Sequence, residues 1–320
     1  MQKKLLIDYL TFTVARSDFF SPDDDEQYIF PLILLRFRLE GLNFVERRAF
    51  YGYNCVYVAD GVSVCFGGRD DICIQLSGSG CRAFESLHPD LTWEEYISYL
   101  FGYKSLSVAR LDVACDVFDG LKLSVIQRFT LDRHFVSRWR TYLCMIGNHE
   151  SSVVFGSPKS DFRLRIYDKS LERQQNVKGV EVPGNWVRVE MQMRDTQAES
   201  FLRAWRAAGD LGSVFFGLLR NQLVFWSSYD GKNRNRMKVA RWWEKLLDGA
   251  DRLKLASVVG REYNLEGLTK YVVSQAGRSI QTYVSIYGVD QLRRSVSQLP
   301  LTDAQRALIA SADVVDAPWD

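Results

Sequence analysis

Alternation of apolar and polar residues dominates the first two hundred positions of the chain. β-rich runs lie near residues 5–14, 29–38, 44–58, 61–66 and 71–77, separated by polar or glycine-containing turns. Further strand patterns follow at 106–118, 161–169 and 185–194, with a less regular one near 138–145. Because successive side chains of a strand point to opposite faces, these runs predict an antiparallel sheet with one apolar face.

Helical patterns interrupt these strands and then replace them. We predict a short helix after the Ser77-Gly-Ser-Gly turn, a second helix capped by Thr92, and a third near 121–131. Beyond residue 195 the apolar residues recur with the period of a helix, and we predict helices at 197–208, 211–226, 237–247 and several places between 265 and 312. The expected fold is therefore α+β, with an antiparallel-sheet domain and packed helices at 1–198 and a mainly helical region at 199–320.

Composition narrows the class of protein. The 320 residues are 47% hydrophobic and carry a net charge of only +2, which excludes a histone-like polycation and requires any nucleic-acid binding to come from local clusters. The six cysteines form no CxxC pair, which favours reduced core residues. The N-terminal segment turns polar too early for a signal peptide, and no apolar run reaches membrane-spanning length. We expect a cytoplasmic protein of a bacterial host, without a membrane partner.

Three of the predicted strands share a charged face. Strand alternation places on that face Arg110, Asp112 and Asp116 from the first strand, Arg163, Arg165, Tyr167 and Lys169 from the second, and Arg188, Glu190, Gln192 and Arg194 from the third. Any one strand is explained by a half-solvated sheet. Carboxylates, guanidiniums and a single tyrosine converging from neighbouring strands instead suit phosphate chemistry.

Each residue type has a chemical reason to be in such a site. Tyr167 is the candidate nucleophile, and the neighbouring cations Arg165 and Lys169 favour its phenoxide. A carboxylate pair would hold Mg²⁺ or Mn²⁺, which polarises a phosphate. Asp112 and Asp116 lie about 13 Å apart along a regular strand, so Asp112 is expected to pair with Glu190. Asp116 remains an alternative ligand, and a β-bulge would reopen a three-carboxylate site.

A basic cluster near residue 235 is the second candidate for DNA binding. Its cations are Lys232, Arg234, Arg236, Lys238 and Arg241. Such a cluster neutralises backbone phosphates without reading sequence, although a solvated basic loop is an equally simple explanation. The arginines of the sheet face, Arg110, Arg163, Arg188 and Arg194, are expected to add phosphate contacts. Trp242 and Trp243, which follow the cluster, are expected to pack a helix onto the core.

Several of these segments resemble the replication initiation factor family, known as Rep_trans, whose members include rolling-circle initiators and DNA relaxases. The resemblance rests on Ile7-Asp-Tyr-Leu-Thr-Phe-Thr13, Leu76-Ser-Gly-Ser-Gly-Cys-Arg-Ala-Phe-Glu85, Ala109-Arg-Leu-Asp-Val-Ala-Cys-Asp116, Leu164-Arg-Ile-Tyr-Asp-Lys169 and Trp186-Val-Arg-Val-Glu190. It implies a metal-dependent DNA nick with covalent attachment of a tyrosine, here Tyr167, to the 5′ phosphate. The His-hydrophobic-His metal motif common among rolling-circle nickases is absent from this sequence.

The leading hypothesis is thus a site-specific DNA nickase that initiates rolling-circle replication of a plasmid or phage, or processes DNA for transfer. Its expected partner is a single-stranded or extruded replication origin. The family suggests a homodimer and a host helicase as further partners. Two alternatives stay open: a nonenzymatic nucleic-acid-binding protein that uses the same basic face, and a metal-dependent hydrolase in which water attacks.

Overall fold

We analysed a computed structural model of the chain. It describes residues 1–20, 28–148, 150–176, 184–228, 237–251 and 276–301, together with positions 182, 253, 255, 268–269, 272–273, 305–306 and 309–310. The chain divides into two compact units, Met1–Ser257 and Val258–Asp320. All of the predicted sheet and its charged face lie in the first unit.

Antiparallel strands form the framework of the first unit. Their bounds are β1 (Lys3–Ala15), β2 (Val45–Arg47), β3 (Cys55–Ala59), β4 (Val62–Phe66), β5 (Asp71–Leu76), β6 (Ser107–Val117), β7 (Phe135–Ser137), β8 (Tyr142–Met145), β9 (Ser152–Phe155), β10 (Phe162–Asp168), β11 (Val187–Arg194), β12 (Leu223–Ser228) and β13 (Lys238–Val239). Within the described residues, ten strands form one sheet in the order β2-β3-β4-β5-β1-β6-β11-β10-β9-β8, and β13-β12-β7 form a second. The three charged strands are therefore direct neighbours, in the order β6-β11-β10.

Helices cover the apolar side of the large sheet. Their bounds in the first unit are α1 (Ile29–Arg36), α2 (Gly78–Leu87), α3 (Trp93–Leu100), α4 (Leu123–Leu131), α5 (Lys169–Asn176), α6 (Asp195–Ala208), α7 (Leu211–Gln222) and α8 (Arg241–Leu247). The second unit contains α9 (Gly277–Tyr287) and α10 (Val289–Ser297). Thr92 caps α3 as predicted, because its side chain accepts from the Glu95 N–H while Glu95 accepts from the Thr92 N–H.

One continuous core joins the sheet to these helices. Leu111, Val113 and Cys115 of β6 and Val189 and Met191 of β11 are fully buried in it. Phe201 and Trp205 of α6, Phe215 of α7 and Trp243 of α8 belong to the same cluster. The predicted α+β class is confirmed, and the burial of Trp243 agrees with its expected packing role. The division between compact units falls after Ser257 rather than near residue 198, because α6, α7 and α8 complete the core of the sheet.

Three local predictions differ from the structure. The run near 29–38 is helix α1, because a short apolar run does not distinguish a buried helix from a strand, and Ile29 and Ile33 are buried one helical turn apart. The helix expected over 211–226 ends at Gln222, and β12 then pairs with β7. The helix expected from 237 begins at Arg241, after the short strand β13. Strand partners that lie distant in sequence decided the last two cases.

Two further expectations concern cysteines and membranes. All six cysteines are free thiols, and Cys65, Cys81 and Cys115 are buried. Among the described residues, none of the helices combines the length and apolar character that a bilayer span requires.

Candidate active site

The charged face is formed by residues that lie directly opposite one another on three strands. Glu190 of β11 is opposite Arg165 of β10 on one side and Ala114 of β6 on the other. Tyr167 is opposite Arg188, and Gln192 is opposite Asp112. Because directly paired residues of an antiparallel sheet point to the same face, the predicted convergence of these side chains follows from the register.

A β-bulge in strand β1 brings another carboxylate to this face. Ile7 pairs with Val113 and Tyr9 pairs with Asp112, so Asp8 is the extra residue between them. The Asp8 carboxylate accepts a hydrogen bond of 2.8 Å from Nη1 of Arg188. The bulge lies in β1 and adds Asp8 to the face, whereas Asp112 and Asp116 stay four residues apart in the regular register of β6 with β11. Asp8 was missed although it belongs to a segment that carries the family resemblance.

Tyr167 lies deep in the site, in contact with both a base and a cation. Its hydroxyl donates to Oε2 of Glu190 at 3.1 Å, and the guanidinium of Arg165 lies 4.1 Å from the centre of its ring. The side chain is only 3% exposed. Burial raises the pKa of Tyr167 well above its ordinary value, the charge of Glu190 raises it further, and Arg188 opposes the increase. The expectation that nearby cations make the phenoxide accessible therefore does not hold in this arrangement.

Asp112 and Glu190 form a buried pair of carboxylates. Asp112 accepts two hydrogen bonds from Arg110, at 3.0 and 2.6 Å, and Glu190 accepts one of 2.7 Å from Gln192. Burial raises the pKa of Asp112 to about 7, and the charge of Glu190 adds to this increase against the opposing effect of Arg110. Burial therefore disfavours the ionised form of Asp112 although Arg110 lies against it.

Asp116 and Arg188 are occupied by each other. Nε and Nη2 of Arg188 donate to the two Asp116 oxygens at 2.7 and 2.9 Å, while Nη1 donates to Asp8. Arg188 is 5% exposed, so it differs from the predicted DNA contact: it stabilises the buried Asp116 and the half-buried Asp8 instead. Asp116, the alternative metal ligand, has both oxygens in this bidentate ion pair, just as both oxygens of Asp112 accept from Arg110.

The other predicted arginines form a half-exposed rim around this buried floor. Arg194 lies directly opposite Arg110, which places two like charges side by side. Burial lowers the pKa of Arg163, and the positive charges of Arg194, Arg165 and Arg110 lower it further. The buried Nε of Arg163 has no hydrogen-bond partner among the described residues. A rim with surplus positive charge is suited to an anion such as a phosphate.

The remaining predicted site residues are Lys169 and the cations of the basic cluster near residue 235. Lys169 begins helix α5 rather than ending the strand, forms an ion pair with Glu172, and lies 5.6 Å from the centre of the Tyr167 ring. Lys238 in β13 and Arg241 at the start of α8 are both exposed. Lys232, Arg234 and Arg236 lie outside the described residues.

The donor chemistry of the floor fits a divalent cation. Within the part of the chain that the structure describes, no three His, Cys, Asp or Glu side chains form a metal-binding group. Asp112 and Glu190 nevertheless supply hard oxygen ligands of the kind that Mg²⁺ and Mn²⁺ prefer. A bound cation would favour the ionised form of Asp112 that burial disfavours.

Similarity to known proteins agrees with this arrangement of strands. A solved structure of a rolling-circle replication initiator protein from Geobacillus stearothermophilus superposes with a TM-score of 0.64 at 27% identity, over 80% of this chain and 99% of that one. The fold is thus that of a rolling-circle initiator. The putative DNA relaxase NicK of Bacillus subtilis (strain 168) is 25% identical over 225 residues, which are 66% of this chain and 63% of that protein.

A family model completes the assignment. Residues 106–299 match the model of the replication initiation factor family, Rep_trans, and this span is more than half of the chain. The chain belongs to the replication initiation factor family.

Proposed function

We propose that the chain nicks one strand of DNA at a replication origin and remains attached to it through Tyr167. The observation that carries this proposal is the hydrogen bond of 3.1 Å from the Tyr167 hydroxyl to Glu190. It supplies a nucleophile and a proton acceptor within reach of each other, which is the arrangement that covalent catalysis needs. Membership of the replication initiation factor family supports DNA as the substrate.

The chemical step is an exchange of phosphate esters. The Tyr167 oxygen attacks the scissile phosphorus, and its proton passes to Glu190 as the new bond forms. The bond from phosphorus to the 3′ oxygen breaks, and that oxygen takes up a proton to become a free 3′ hydroxyl for a polymerase. The phosphotyrosine keeps the energy of the ester for later rejoining, so no other reactant is consumed.

Proton transfer to Glu190 would allow Tyr167 to act as a nucleophile despite its raised pKa. A phenol in this buried position is a weak nucleophile unless its proton leaves during the attack. Arg165 lies over the phenol ring and is also paired with the exposed Glu150 at 3.1 Å. A DNA phosphate that displaces Glu150 would bring its charge next to Tyr167, and Arg165 would then position the scissile group.

Asp112 and Glu190 are the residues that would hold Mg²⁺ or Mn²⁺. When bound, such a cation polarises the phosphate and neutralises charge that develops on its oxygens. We expect Mn²⁺ titrated into the DNA-free protein to bind with a measurable heat, and Asp112→Asn to weaken this binding at least tenfold. Binding of equal strength in wild type and variant would exclude Asp112 as a ligand.

The burial of Tyr167 favours a second candidate function, a nonenzymatic DNA-binding protein that uses the arginine rim. The two functions are separated by incubating the protein with Mn²⁺ and labelled single-stranded DNA that covers the replicon encoding it. We expect an SDS-stable protein–DNA adduct from wild type and none from Tyr167→Phe. DNA binding by Tyr167→Phe should stay within about twofold of wild type, because only a hydroxyl is removed.

The matched control is Tyr142→Phe, which removes a hydroxyl from a tyrosine on strand β8 at the edge of the same sheet. It should form the adduct at the wild-type rate. An adduct that survives Tyr167→Phe would refute the proposed nucleophile. Cleavage without any attached protein would assign the attack to water, and binding without cleavage would favour the nonenzymatic candidate.

A further inference from the structure

An exposed aromatic segment follows strand β2 and has no role in the site described so far. It comprises Arg47, Arg48, Phe50 and Tyr51, all of which are exposed. Phe50 is 37% exposed and Tyr51 is 74% exposed, and their ring centres lie 4.9 Å apart in an edge-to-face arrangement. Two solvated aromatic rings beside two arginines are costly to leave exposed and have the composition of a surface that binds single-stranded nucleic acid.

The position of this segment on the sheet connects it to the site. Tyr53, two residues further on, packs on Val56 and Cys65. In the strand register, Cys65 of β4 lies directly opposite Cys73 of β5, and Cys73 lies directly opposite Thr13 of β1. Directly paired residues share a face, and Thr13 lies on the same face of β1 as Tyr9. The segment therefore lies on the charged face of the sheet, beyond β1.

Tyr9 lies between the exposed aromatic segment and the half-exposed arginines of the rim. Tyr9 is opposite Asp112 in the register, and the guanidinium of Arg110 lies 4.0 Å from the centre of its ring. Burial raises the pKa of Tyr9 against the lowering effect of Arg110, and Tyr51 is among the neighbours that contribute to the increase. Tyr51 thus lies within electrostatic range of Tyr9.

The face consequently carries a row of guanidiniums with aromatic rings at both ends. From the nucleophile outwards the order is Tyr167, Arg165, Arg163 with Arg194, Arg110, Tyr9, Tyr51 and Phe50. Rings offer stacking surfaces to bases of any sequence, and guanidiniums offer paired donors to phosphates. The rings become more exposed towards Tyr51, from 3% for Tyr167 through the half-buried Tyr9 to 74% for Tyr51, so the outer end of this row is open to a ligand.

The backbone of Tyr51 supports a ligand-binding role. Its φ is +54°, in the left-handed region that side-chain-bearing residues rarely adopt, and Gly52 follows with φ +79°. This conformation costs free energy, which the hydrogen bond of 3.1 Å from the Tyr53 N–H to the Phe50 carbonyl offsets in part. A role for the ring in binding accounts for the retention of a tyrosine where glycine would be unstrained.

We propose that Tyr51 and Phe50 form a base-stacking platform for the single-stranded DNA that flanks the nick, reached from Tyr167 along the row of arginines. This inference rests on the proposed function, because it takes the strand being cleaved as the ligand. Stacking gives affinity without sequence readout, so origin choice is left to other residues.

The test compares two fluorescently labelled oligonucleotides of equal length in a Tyr167→Phe background, where no cleavage occurs. One is oligo-dT and the other has the same phosphates but abasic sugars throughout. We expect Tyr51→Ala to weaken binding of oligo-dT by roughly 5- to 100-fold in an anisotropy titration, the range for loss of one stacked base. Binding of the abasic oligonucleotide should change less than twofold.

Two further variants make the result specific to the ring. Tyr51→Phe keeps the aromatic surface and should restore oligo-dT binding. Tyr28→Ala removes a tyrosine that is 63% exposed elsewhere on the first unit and should have no effect. An equal loss for both oligonucleotides, or no loss for either, would overturn the platform. A chain that stacks bases through Tyr51 but forms no adduct would instead overturn the nicking proposal alone.

Discussion

The clearest quantitative prediction concerns the pH dependence of stability at Asp112. Burial, reinforced by the charge of Glu190, raises the pKa of this carboxyl from an ordinary 3.8 to about 7 in the folded protein. A difference of roughly three pH units corresponds to about 4 kcal/mol. Because the folded pKa is the higher one, the contribution of Asp112 to stability is fully present below pH 3.8 and is lost as the pH rises to 7.

Asp112→Asn removes this titration and keeps the shape of the side chain. We expect the free energy of unfolding of wild type to fall relative to that of the variant by about 2 to 4 kcal/mol between pH 4 and pH 8. The measurement is urea unfolding in EDTA at four pH values in this range, with wild type and variant compared at each. EDTA excludes trace cations, which would stabilise only the wild-type carboxylate.

The matched control is Asp119→Asn, at an exposed aspartate whose pKa is lowered by a backbone hydrogen bond from Gln2. The difference between wild type and this variant should stay nearly constant from pH 4 to pH 8, because a carboxyl whose folded pKa is lowered below 3.8 is ionised in both states over this range. A difference between wild type and Asp112→Asn that is flat from pH 4 to pH 8 would refute the reasoning on Asp112.

Two further predictions test the rim and the sheet. Glu150→Gln should release Arg165 and tighten binding of single-stranded DNA by up to about fivefold at low salt, as followed by anisotropy, whereas weaker binding would show that Glu150 does not compete with phosphate. Gly61→Ala should lower the free energy of unfolding by at least about 2 kcal/mol, because φ is +86° and an added Cβ would lie 2.7 Å from the Gly80 nitrogen. Gly209→Ala, with φ +65° and nothing within 4 Å of the added Cβ, should cost only about 1 kcal/mol in the same denaturation assay.

Strand alternation was enough to group much of the candidate site. Asp112, Glu190 and Tyr167 were assigned to one face because a period of two fixes the side of a strand on which each residue lies. The same rule does not predict which side chains pair with each other or how deeply each one is buried. It left open whether Asp116 or Asp112 joins Glu190, and in the structure each aspartate forms an ion pair with an arginine, Asp116 with Arg188 and Asp112 with Arg110.

Other parts of the site required the register between distant strands. Asp8 reaches the face only because a bulge in β1 displaces it, and a bulge depends on how two strands align rather than on either sequence. The side of the sheet on which the exposed segment lies follows from the pairing of β4, β5 and β1, which no local periodicity indicates. The helix α1 was assigned to a strand because its apolar run is too short to show a period.

The sequence by itself determined the α+β class, the strands β6, β10 and β11, and the side of each that carries charge, because these follow from local side-chain alternation. Tertiary structure alone decided that α6 to α8 share the core of the sheet, that Arg188 stabilises two aspartates, and that the Tyr167 hydroxyl lies against Glu190. These features depend on burial and on contacts between residues up to 180 positions apart, such as Asp8 and Arg188. The pKa of each group follows from that burial. The residue types of the candidate site could therefore be predicted from the sequence, whereas their protonation states could not.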